Sequence, residues 1–547
     1  MAELALGIVA TVDLAFRYGN LLVETYKTFK GAEADVEERI LTVEAHWYRT
    51  RQQVEFLQKI WSTLDDEFQN IQSRTLRMLV GKLEAAVAQI ERVQKKKNKD
   101  CETENKIGIR KMKYVLVKDS LDKAVQEFES WQKMFNPSWF LIMKVASPVI
   151  DQELEDDRTE VGSIVTARGL RDSLKEEPQI ATKIFLPENG LVSASRTRIP
   201  FSTAELIQRT PTSKFSILDS VAGDPEVNIN ILNKDVRDLA RKLSRADALT
   251  FGLLECKGVV KVFEPTKKKI VSFDFVFNIP EGLQHPKSLR GILLKADQDL
   301  SLSARFKVAQ QLATSVSFIH TYGFVHKSIR PETVLIFESP NSTLAASFLL
   351  GFEKFRMAEG RTMRLGDCVW YKDIYRHPRR QGLKPEDEYS MQHDIYSLGV
   401  CLLEIGLWDT FVVYQDEKTT DPAPSPLLGV LQDQEEDEVK KATLVKDALV
   451  ELATKMLPSR MGDKYTEIVV TCLTCLDETN ADFGDDTEFE DEDGVTIGVR
   501  YIEKVRALRS CRFLKVEPIV LTRLDSPPTR VYIHLIVLVS VVLSSSC

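Results

Sequence analysis

The stretch GFVHKSIRPETVLIF, residues 323–337, places polar and titratable side chains between two apolar flanks. Phosphoryl transfer requires magnesium on the phosphates, a lysine that contacts them and a group that orients the attacking hydroxyl. In a loop of this form the orienting group would be a carboxylate, but residue 328 is serine. A hydroxyl is a poor proton acceptor at neutral pH. The stretch therefore raises the question of whether the chain still transfers phosphate.

The composition bounds the class of protein. A chain of 547 residues is expected to form two to four domains. A hydrophobic content of 43% and a charged content of 28% are typical of globular proteins. The net charge of −8 and the short basic clusters give no reason to expect a nucleic-acid partner. The N-terminus lacks the basic region of a secretory signal, so we expect an intracellular, cytoplasmic protein.

The cysteines do not predict a metal site or a disulfide framework. The chain has eight cysteines, and the close pair Cys472-x-x-Cys475 lies in an apolar run. A zinc site of this kind would need a second pair at similar spacing. We therefore expect a buried helical face at this pair and no metal ligands.

Residues 1–150 read as helical almost throughout. Apolar residues recur at intervals of three and four in several segments, which is the spacing of an amphipathic helix. Breaks near Gly31 and Asp65 and across 95–107 predict an up-down bundle of four or more helices. The stripes comprise Val36, Ile40, Val43, Trp47, Val54, Leu57 and Trp61, then Leu76, Leu79, Val80, Leu83, Val87 and Ile90, then Leu121, Val125, Phe128, Trp131 and Phe135.

The first helix differs from the others because it is apolar on nearly every side. Between Leu4 and Phe16 the apolar run is interrupted only by Gly7, Thr11 and Asp13. Such a helix is either the centre of a core or an element that enters lipid. The run is shorter than the roughly 18–20 residues needed to span a bilayer. The sequence leaves both interpretations open for the candidate membrane or partner residues Leu4, Leu6, Ile8, Val9, Val12, Leu14 and Phe16.

The rest of the chain divides into three further parts. The polar residues 151–199 are expected to form a linker with two short β-like runs. From residue 200 strands and helices alternate, with helices predicted over 233–247, 302–320 and 394–408 and a hairpin that starts at Gly258. Residues 508–547 form a tail with an apolar run, 531–543. This run has the features of a weak tail anchor, a buried strand or an aggregation-prone end, and we assign it no defined function.

Four segments in order resemble the protein-kinase family. HKSIRPETVL (326–335) resembles the catalytic loop, LLGFEKFR (349–356) the stretch around D-F-G, IYRHP (374–378) the A-P-E region, and DIYSLGV (394–400) the helix beginning D-x-W-S-x-G. The resemblance implies a bilobal α+β kinase-like domain over 200–507, with the N-lobe ending at about 280. The expected fold is thus multidomain: an all-α N-terminal helical bundle followed by this domain.

The same resemblance implies that the catalytic groups are lost. Ser328 replaces the orienting aspartate, Thr333 the magnesium-binding asparagine, and Gly351 the D-F-G aspartate. No G-x-G-x-x-G is found upstream, and the strand lysine falls on Asp219 or Ser220. The implied protein is a pseudokinase without a bound cofactor, in which ATP is not expected to bind. The retained architectural residues are His326, Arg330, Pro331, Asp394 and Gly399, and the tripeptide Asp482-Phe483-Gly484 is interpreted as a chance match.

The N-terminal part resembles the HeLo-type helical domain of fungal cell-death and heterokaryon-incompatibility proteins. The opening helix and the segment ESWQKMFNPSWFLIM (129–143) carry this resemblance, although Asp13 departs from a simple membrane-spanning helix. The layout is also similar to that of mixed-lineage kinase domain-like effectors, in which a pseudokinase restrains a bundle. It implies protein partners, self-association through the bundle, and recruitment to an anionic membrane. The alternatives are a scaffold pseudokinase that never touches lipid and a divergent active kinase.

Overall fold

A computed structural model describes residues 2–480 in two compact units, of which the first ends at Asp172. The predicted tail, its apolar run and Asp482-Phe483-Gly484 lie outside the described residues. Within 2–480 the description omits residues 29–33, 65, 100–105, 144–146, 157–161, 175–183, 192–193, 211–213, 223–228, 265–268, 296–299, 341, 354, 358–368, 384, 416–420 and 433–436.

The described part of the first unit is helical. Its long helices α1 to α4 pack on one another, α1 against α2 and α3, and α4 against α2 and α3. The predicted helical bundle therefore agrees with the structure in its main elements. The helices are α1 (Ala2–Lys27), α2 (Ala34–Lys59), α3 (Asp66–Lys99), α4 (Lys106–Ile142), α5 (Pro148–Asp156) and α6 (Gly162–Leu174).

The apolar stripes of α2, α3 and α4 form the core of this unit. Nearly all of their predicted members are buried; Val80 and Val125 are half-buried. Two polar groups inside the core form hydrogen bonds to residues distant in the chain. The indole of Trp131 donates to the carbonyl of Thr75 at 3.0 Å, and the hydroxyl of Tyr26 donates to the carbonyl of Ser120 at 3.0 Å. Periodicity thus identified the buried faces, because a 3.6-residue repeat places those residues on one side.

Helix α1 is buried along one side only. Ile8 and Val12 lie in the core, whereas Val9 is 44% exposed and Leu14 is 41% exposed. Phe16 is half-buried and meets Trp47 edge-on at 6.3 Å between ring centroids. Leu4 and Leu6 belong to the helix, but their side chains lie outside the described residues. The helix is therefore anchored in the core and still presents apolar side chains on its surface.

Residues 151–199 differ from the predicted linker. Most of α5 and all of α6 lie there, and Leu154, Ile164 and Leu170 are buried. Arg171 holds the two helices together through a two-pronged ion pair with Asp151, at 2.9 and 3.0 Å. The polar composition suggested a linker because each helix is short and buries only a narrow stripe.

The second unit begins with a five-stranded antiparallel sheet in the order β1-β2-β3-β5-β4. Before it, Leu186 and Leu191 pack on the sheet, so this part of the predicted linker also belongs to a core. Helices α7 and α8 connect β3 to β4, and the predicted hairpin is confirmed as β4 and β5. The elements are β1 (Ser195–Arg198), β2 (Glu205–Gln208), β3 (Ser216–Ala222), α7 (Ile229–Leu243), α8 (Ala248–Phe251), β4 (Cys256–Phe263) and β5 (Ile270–Asn278).

The remainder of this unit is mainly helical, with three small antiparallel sheets, β6-β8-β9, β7-β10 and β11-β12. The predicted helix over 302–320 is confirmed as α10. The elements are β6 (Gln284–Ser288), α9 (Leu289–Leu293), α10 (Leu302–Thr321), β7 (Phe324–Val325), β8 (Val334–Ser339), β9 (Ser342–Leu349), β10 (Arg356–Met357), α11 (Trp370–Asp373), α12 (Met391–Leu407), β11 (Val412–Val413), β12 (Ala423–Pro424), α13 (Glu438–Met461) and α14 (Asp463–Leu473).

Helix α12 is the central helix of the second unit, since every residue from Met391 to Leu407 is buried. This agrees with the apolar helix predicted over 394–408. A Cβ atom at Gly399 would lie 2.6 Å from the Cβ of Cys472 in α14. The glycine therefore permits the close contact between these two helices. Cys472 and Cys475 are both buried, as the sequence predicted.

Candidate functional site

The loop of residues 326–333 is held by one carboxylate of the central helix. Asp394 accepts hydrogen bonds from the backbone N–H groups of His326 at 2.7 Å and Lys327 at 2.9 Å, and from the hydroxyl of Tyr389 at 2.7 Å. It also lies 3.0 Å from Nε2 of His320. Burial acts to raise the pKa of Asp394, but His320 and then His326 hold it below the usual value. The carboxylate is thus kept ionised and fixes the start of the loop.

This clamp holds the backbone in an uncommon conformation. Lys327 has a φ of 65°, in the left-handed region that side-chain-bearing residues rarely adopt. The ring of His326 points back into the loop, and its Nδ1 accepts from the N–H of Ser328 at 3.3 Å. Burial lowers the pKa of His326 to about 4, so the ring is neutral at physiological pH. His326 therefore acts on the shape of the loop as a neutral acceptor.

Thr333 and Gly351 lie against each other. These are the two residues that the sequence resemblance aligns with magnesium ligands. The hydroxyl of Thr333 accepts from the N–H of Arg330 at 3.2 Å and donates to the carbonyl of Ser328 at 2.9 Å. Gly351 has a φ of 79°, and a Cβ there would lie 2.2 Å from Cγ2 of Thr333. The threonine hydroxyl is used within the loop, and no side chain fits at residue 351 without movement.

Asp219 on β3 is one of the two residues, with Ser220, that the sequence placed near the lysine expected from the resemblance. Its Oδ2 accepts from the backbone N–H of Gly351 at 2.9 Å and of Phe352 at 3.2 Å. The side chain is fully buried, and burial raises its pKa to about 6. A lysine ammonium has no acceptor and would leave both amides unsatisfied. Asp219 is therefore suited to binding the backbone here, and its charge would repel a phosphate.

Arg330 is neutralised by acidic neighbours. Its guanidinium donates to Glu353 at 2.7 Å and lies 3.8 Å from Glu332. Glu332 in turn accepts from the fully buried Arg290 at 3.0 Å. Burial acts to raise the pKa of Glu353, but Arg330 holds it below the usual value. Pro331 occupies the first position of a short 3-10 turn. Arg330 and Pro331 thus stabilise the loop.

Arg290 connects this loop to the central helix. It donates to Glu404 of α12 at 2.8 Å, and the hydroxyl of Tyr375 donates to the same carboxylate at 2.8 Å. Sequence reasoning missed this network. Glu404 offered a signal, because it is a charged residue inside an otherwise apolar helix. Arg290 offered none, since its partners are distant in the chain.

The turn between β1 and β2 is bound to the same loop. Ser202 donates its hydroxyl hydrogen to the carbonyl of Glu332 at 2.9 Å, and Ser288 donates to the carbonyl of Pro200 at 2.7 Å. Phe201, with a φ of 53°, packs against Tyr414 at 5.1 Å between centroids. The turn thus makes contacts with the loop and with Tyr414.

Aromatic side chains fill the space between the sheet and the loop. The ring of Phe352 lies 5.0 Å from His326, 6.4 Å from Phe275 and 6.5 Å from Phe277. Phe275 and Phe277 belong to β5, so the sheet and the loop share one apolar core here. Among the residues that the structure describes, no group of three or more histidine, cysteine, aspartate or glutamate side chains is placed to hold a metal ion.

The predicted site residues thus fall in two places. Seven of them come together around one loop, whereas Gly399 lies further along α12. The seven are Ser328, Thr333, Gly351, His326, Arg330, Pro331 and Asp394. The residues of α1 lie in the other unit. Of the helices within the described ranges, none combines the length and the apolarity that crossing a bilayer requires.

Comparisons with known proteins find a kinase-like relative. The chain is 32% identical over 101 residues to a serine/threonine-protein kinase-like protein of Arabidopsis thaliana. The match covers 18% of this chain and 27% of that protein. No protein-family profile matches the chain. The similarity is to a kinase-like protein and is confined to a small part of both chains.

Proposed function

We propose that the second unit is a kinase-like domain that has lost phosphotransfer, and that it regulates the helical bundle as a signalling effector of the cell-death type. The similarity to a kinase-like protein of Arabidopsis thaliana supports the proposal of a kinase-like domain. A small antiparallel sheet followed by a mainly helical part also fits a bilobal kinase-like fold.

One observation carries the loss of phosphotransfer. Asp219 binds the amides of Gly351 and Phe352, so a buried carboxylate stands where catalysis would need a cation. The glycine is packed against Thr333, which leaves no room for a magnesium-binding carboxylate. Phosphoryl transfer depends almost entirely on such charges. A site with these charges removed or inverted is suited to a structural role.

The proposal is tested by exposing the full chain to Mg-ATP. We expect no transfer of labelled phosphate to the chain or to a general kinase substrate. We also expect no rise in the melting temperature when Mg-ATP is added, because a ligand that binds the folded state would raise it. Asp219→Lys, which restores the expected cation, is expected to lose stability without gaining either property. If the wild-type chain transfers phosphate and the Ser328→Ala variant does not, the protein is a divergent active kinase.

The regulated bundle is the second part of the proposal. Helix α1 exposes Val9 and Leu14 while it is anchored by Ile8 and Val12. Exposed apolar side chains suit either a membrane or a protein partner. The membrane-active effector is the function we favour, and we infer a cytoplasmic protein that is recruited to anionic membrane. The scaffold, in which the same side chains bind only proteins, is the second candidate.

A further inference from the structure

The outer edge of the five-stranded sheet, at β4, is covered by a short segment that comes before the sheet in the chain, residues 184–186. The N–H of Leu186 donates to the carbonyl of Val259 at 2.8 Å, and the N–H of Val259 donates to the carbonyl of Ile184 at 2.9 Å. The pairing is parallel and forms an isolated bridge. Pro187 follows and has no N–H with which to extend it. Two backbone hydrogen bonds thus bind this edge segment to β4.

Strand β4 is shaped to accept a strand at this point. Gly258 has a φ of 151°, and a Cβ there would lie 2.8 Å from the carbonyl oxygen of Ile184 and 2.8 Å from Cγ of Leu186. A β-bulge between Cys256 and Gly258 bends β4 immediately before the paired residue, Val259. A glycine is therefore needed for another strand to approach this edge.

The side chains of the edge segment are held on both faces of the sheet, because successive residues of a strand alternate. Leu186 packs on an apolar cluster of the sheet. Phe185 lies on the opposite side, where α7 packs against β4. The ammonium of Lys261 lies 4.0 Å from the centroid of the Phe185 ring, and the guanidinium of Arg237 in α7 lies 5.8 Å from it. Cations over a ring favour an aromatic residue, so this pocket, the Phe185 pocket, is selective.

The charges around the Phe185 pocket add a second requirement. Burial and then the neighbouring Arg237 lower the pKa of Lys261, whereas Glu188 acts to raise it. The two cations repel each other, and the carboxylate that follows the edge segment offsets this repulsion. A ligand of this pocket is therefore stabilised by an acidic residue three positions after its aromatic residue.

We infer that this edge is a docking site for an extended peptide in which an aromatic residue stands between two apolar residues and an acidic residue follows three positions later, and that residues 184–186 are its replaceable occupant. At a sheet edge the main chain provides affinity and the pockets provide specificity. An incoming peptide would remake each contact that it displaces, so it competes only with the tethering of the resident segment. Replacement frees the connection between α6 and β1, which gives the proposed regulation an input. That consequence rests on the proposed function, whereas the docking does not.

Hydrogen exchange in the wild-type full chain tests the replacement, with a synthetic peptide of residues 181–189 in millimolar excess. We expect exchange at the amide of Leu186 to accelerate, because the peptide takes its acceptor. The amide of Val259 is expected to stay protected, because the peptide carbonyl replaces that of Ile184. A peptide with Phe185→Ala is the matched control and should change neither amide. Unchanged exchange at Leu186, or acceleration at both amides, overturns the inference.

Binding of the labelled peptide, followed by fluorescence anisotropy, tests the competition. Phe185→Ala in the full chain weakens the resident segment, so the peptide is expected to bind this variant at least about tenfold more tightly than wild type. Phe215→Ala, at a phenylalanine that is 49% exposed in the same unit, is the matched control and should equal wild type.

Adding Gly258→Ala to the Phe185→Ala variant is expected to abolish the binding, because the new Cβ would meet the carbonyl of the incoming strand. Equal affinity of wild type and Phe185→Ala, or binding that persists with Gly258→Ala, overturns the inference. The wild-type exchange experiment decides it if these variants do not fold. Neither measurement depends on phosphate transfer or on membranes, so failure here is distinguishable from failure of the proposed function.

Discussion

Single residues at the candidate site carry the main support for the proposed loss of phosphotransfer. Asp219 accepts a hydrogen bond from the amide of Gly351, and Gly351 packs against Thr333, whose hydroxyl donates to the carbonyl of Ser328. The residues that the kinase resemblance aligns with catalytic positions thus make structural contacts with one another and with the loop. The identities of Ser328, Thr333 and Gly351 could be read from the sequence. The contacts that fix their roles could not, because β3 is more than a hundred residues away in the chain.

The packing of Gly351 against Thr333 gives a prediction about stability. Gly351→Ala is expected to destabilise the second unit by about 1–2 kcal/mol for the left-handed backbone and about 1–3 kcal/mol for the overlap with Cγ2 of Thr333. Gly282→Ala is the matched control, since its φ is 80° and nothing lies within 4 Å. Urea denaturation measures both. Equal losses in the two variants would show that the overlap is relieved without cost.

The raised pKa of Asp219 predicts a dependence of stability on pH. Its pKa rises from 3.8 to about 6 on folding, so the folded state holds a proton that the unfolded state has lost. The stability associated with this group is therefore present below about pH 4 and is lost as the pH rises through about 6. The loss amounts to about 2–3 kcal/mol, from 1.36 kcal/mol per pKa unit.

Asp219→Asn tests this dependence, because the amide oxygen still accepts from both N–H groups but carries no charge. The free energy of unfolding is measured for both proteins at about pH 5 and about pH 7. Between these pH values the asparagine variant is expected to gain stability relative to the wild type. Asp238→Asn, on the half-buried side of α7, is the control. The same pH slope in wild type and Asp219→Asn would refute the buried ionisation.

At the scale of elements, the sequence predicted the long helices and the hairpin well. Repeats such as Val36, Ile40 and Val43 identify a buried helical face directly, because the period of the helix is fixed. The short helices α5 and α6 were missed because their apolar stripes are too brief to separate from a polar linker. Leu186 and Leu191 were missed for a different reason. Their partners are strands that come later in the chain, and local pattern carries no information about such contacts.

Two helical glycines lead to opposite predictions. Gly399→Ala is expected to destabilise the second unit by about 1–3 kcal/mol, because its Cβ would overlap with Cys472 and force α12 and α14 apart. Gly81→Ala in α3, with nothing within 4 Å, is expected to stabilise the first unit by about 0.5–1 kcal/mol. Thermal melts followed by circular dichroism measure both. A stabilising Gly399→Ala would mean that the two helices can separate freely.

At the scale of the whole molecule, the two units differ in how their cores are built. The first unit is closed by apolar stripes, whereas the second depends on buried charges such as Arg290, Glu332 and Glu404. Removing one partner of a buried ion pair costs about 3–5 kcal/mol, because the other charges are left uncompensated. The second unit can therefore be weakened by one substitution that leaves the first unit unchanged. That difference allows the proposed regulation to be tested in the full chain.

If the second unit restrains the bundle, weakening it should release membrane activity. Arg290→Met is expected to increase dye release from anionic liposomes, whereas Arg209→Met, an exposed arginine of the same unit, should match wild type. Adding Val9→Asp and Leu14→Asp is expected to abolish the gain while the bundle stays folded, because both positions are exposed. Ile8 is unsuitable for this test, since it is buried and its substitution would unfold α1. Two outcomes would favour the scaffold. If Arg290→Met does not raise dye release, the second unit does not restrain the bundle. If dye release persists in the triple variant, the exposed side chains of α1 are not needed for it.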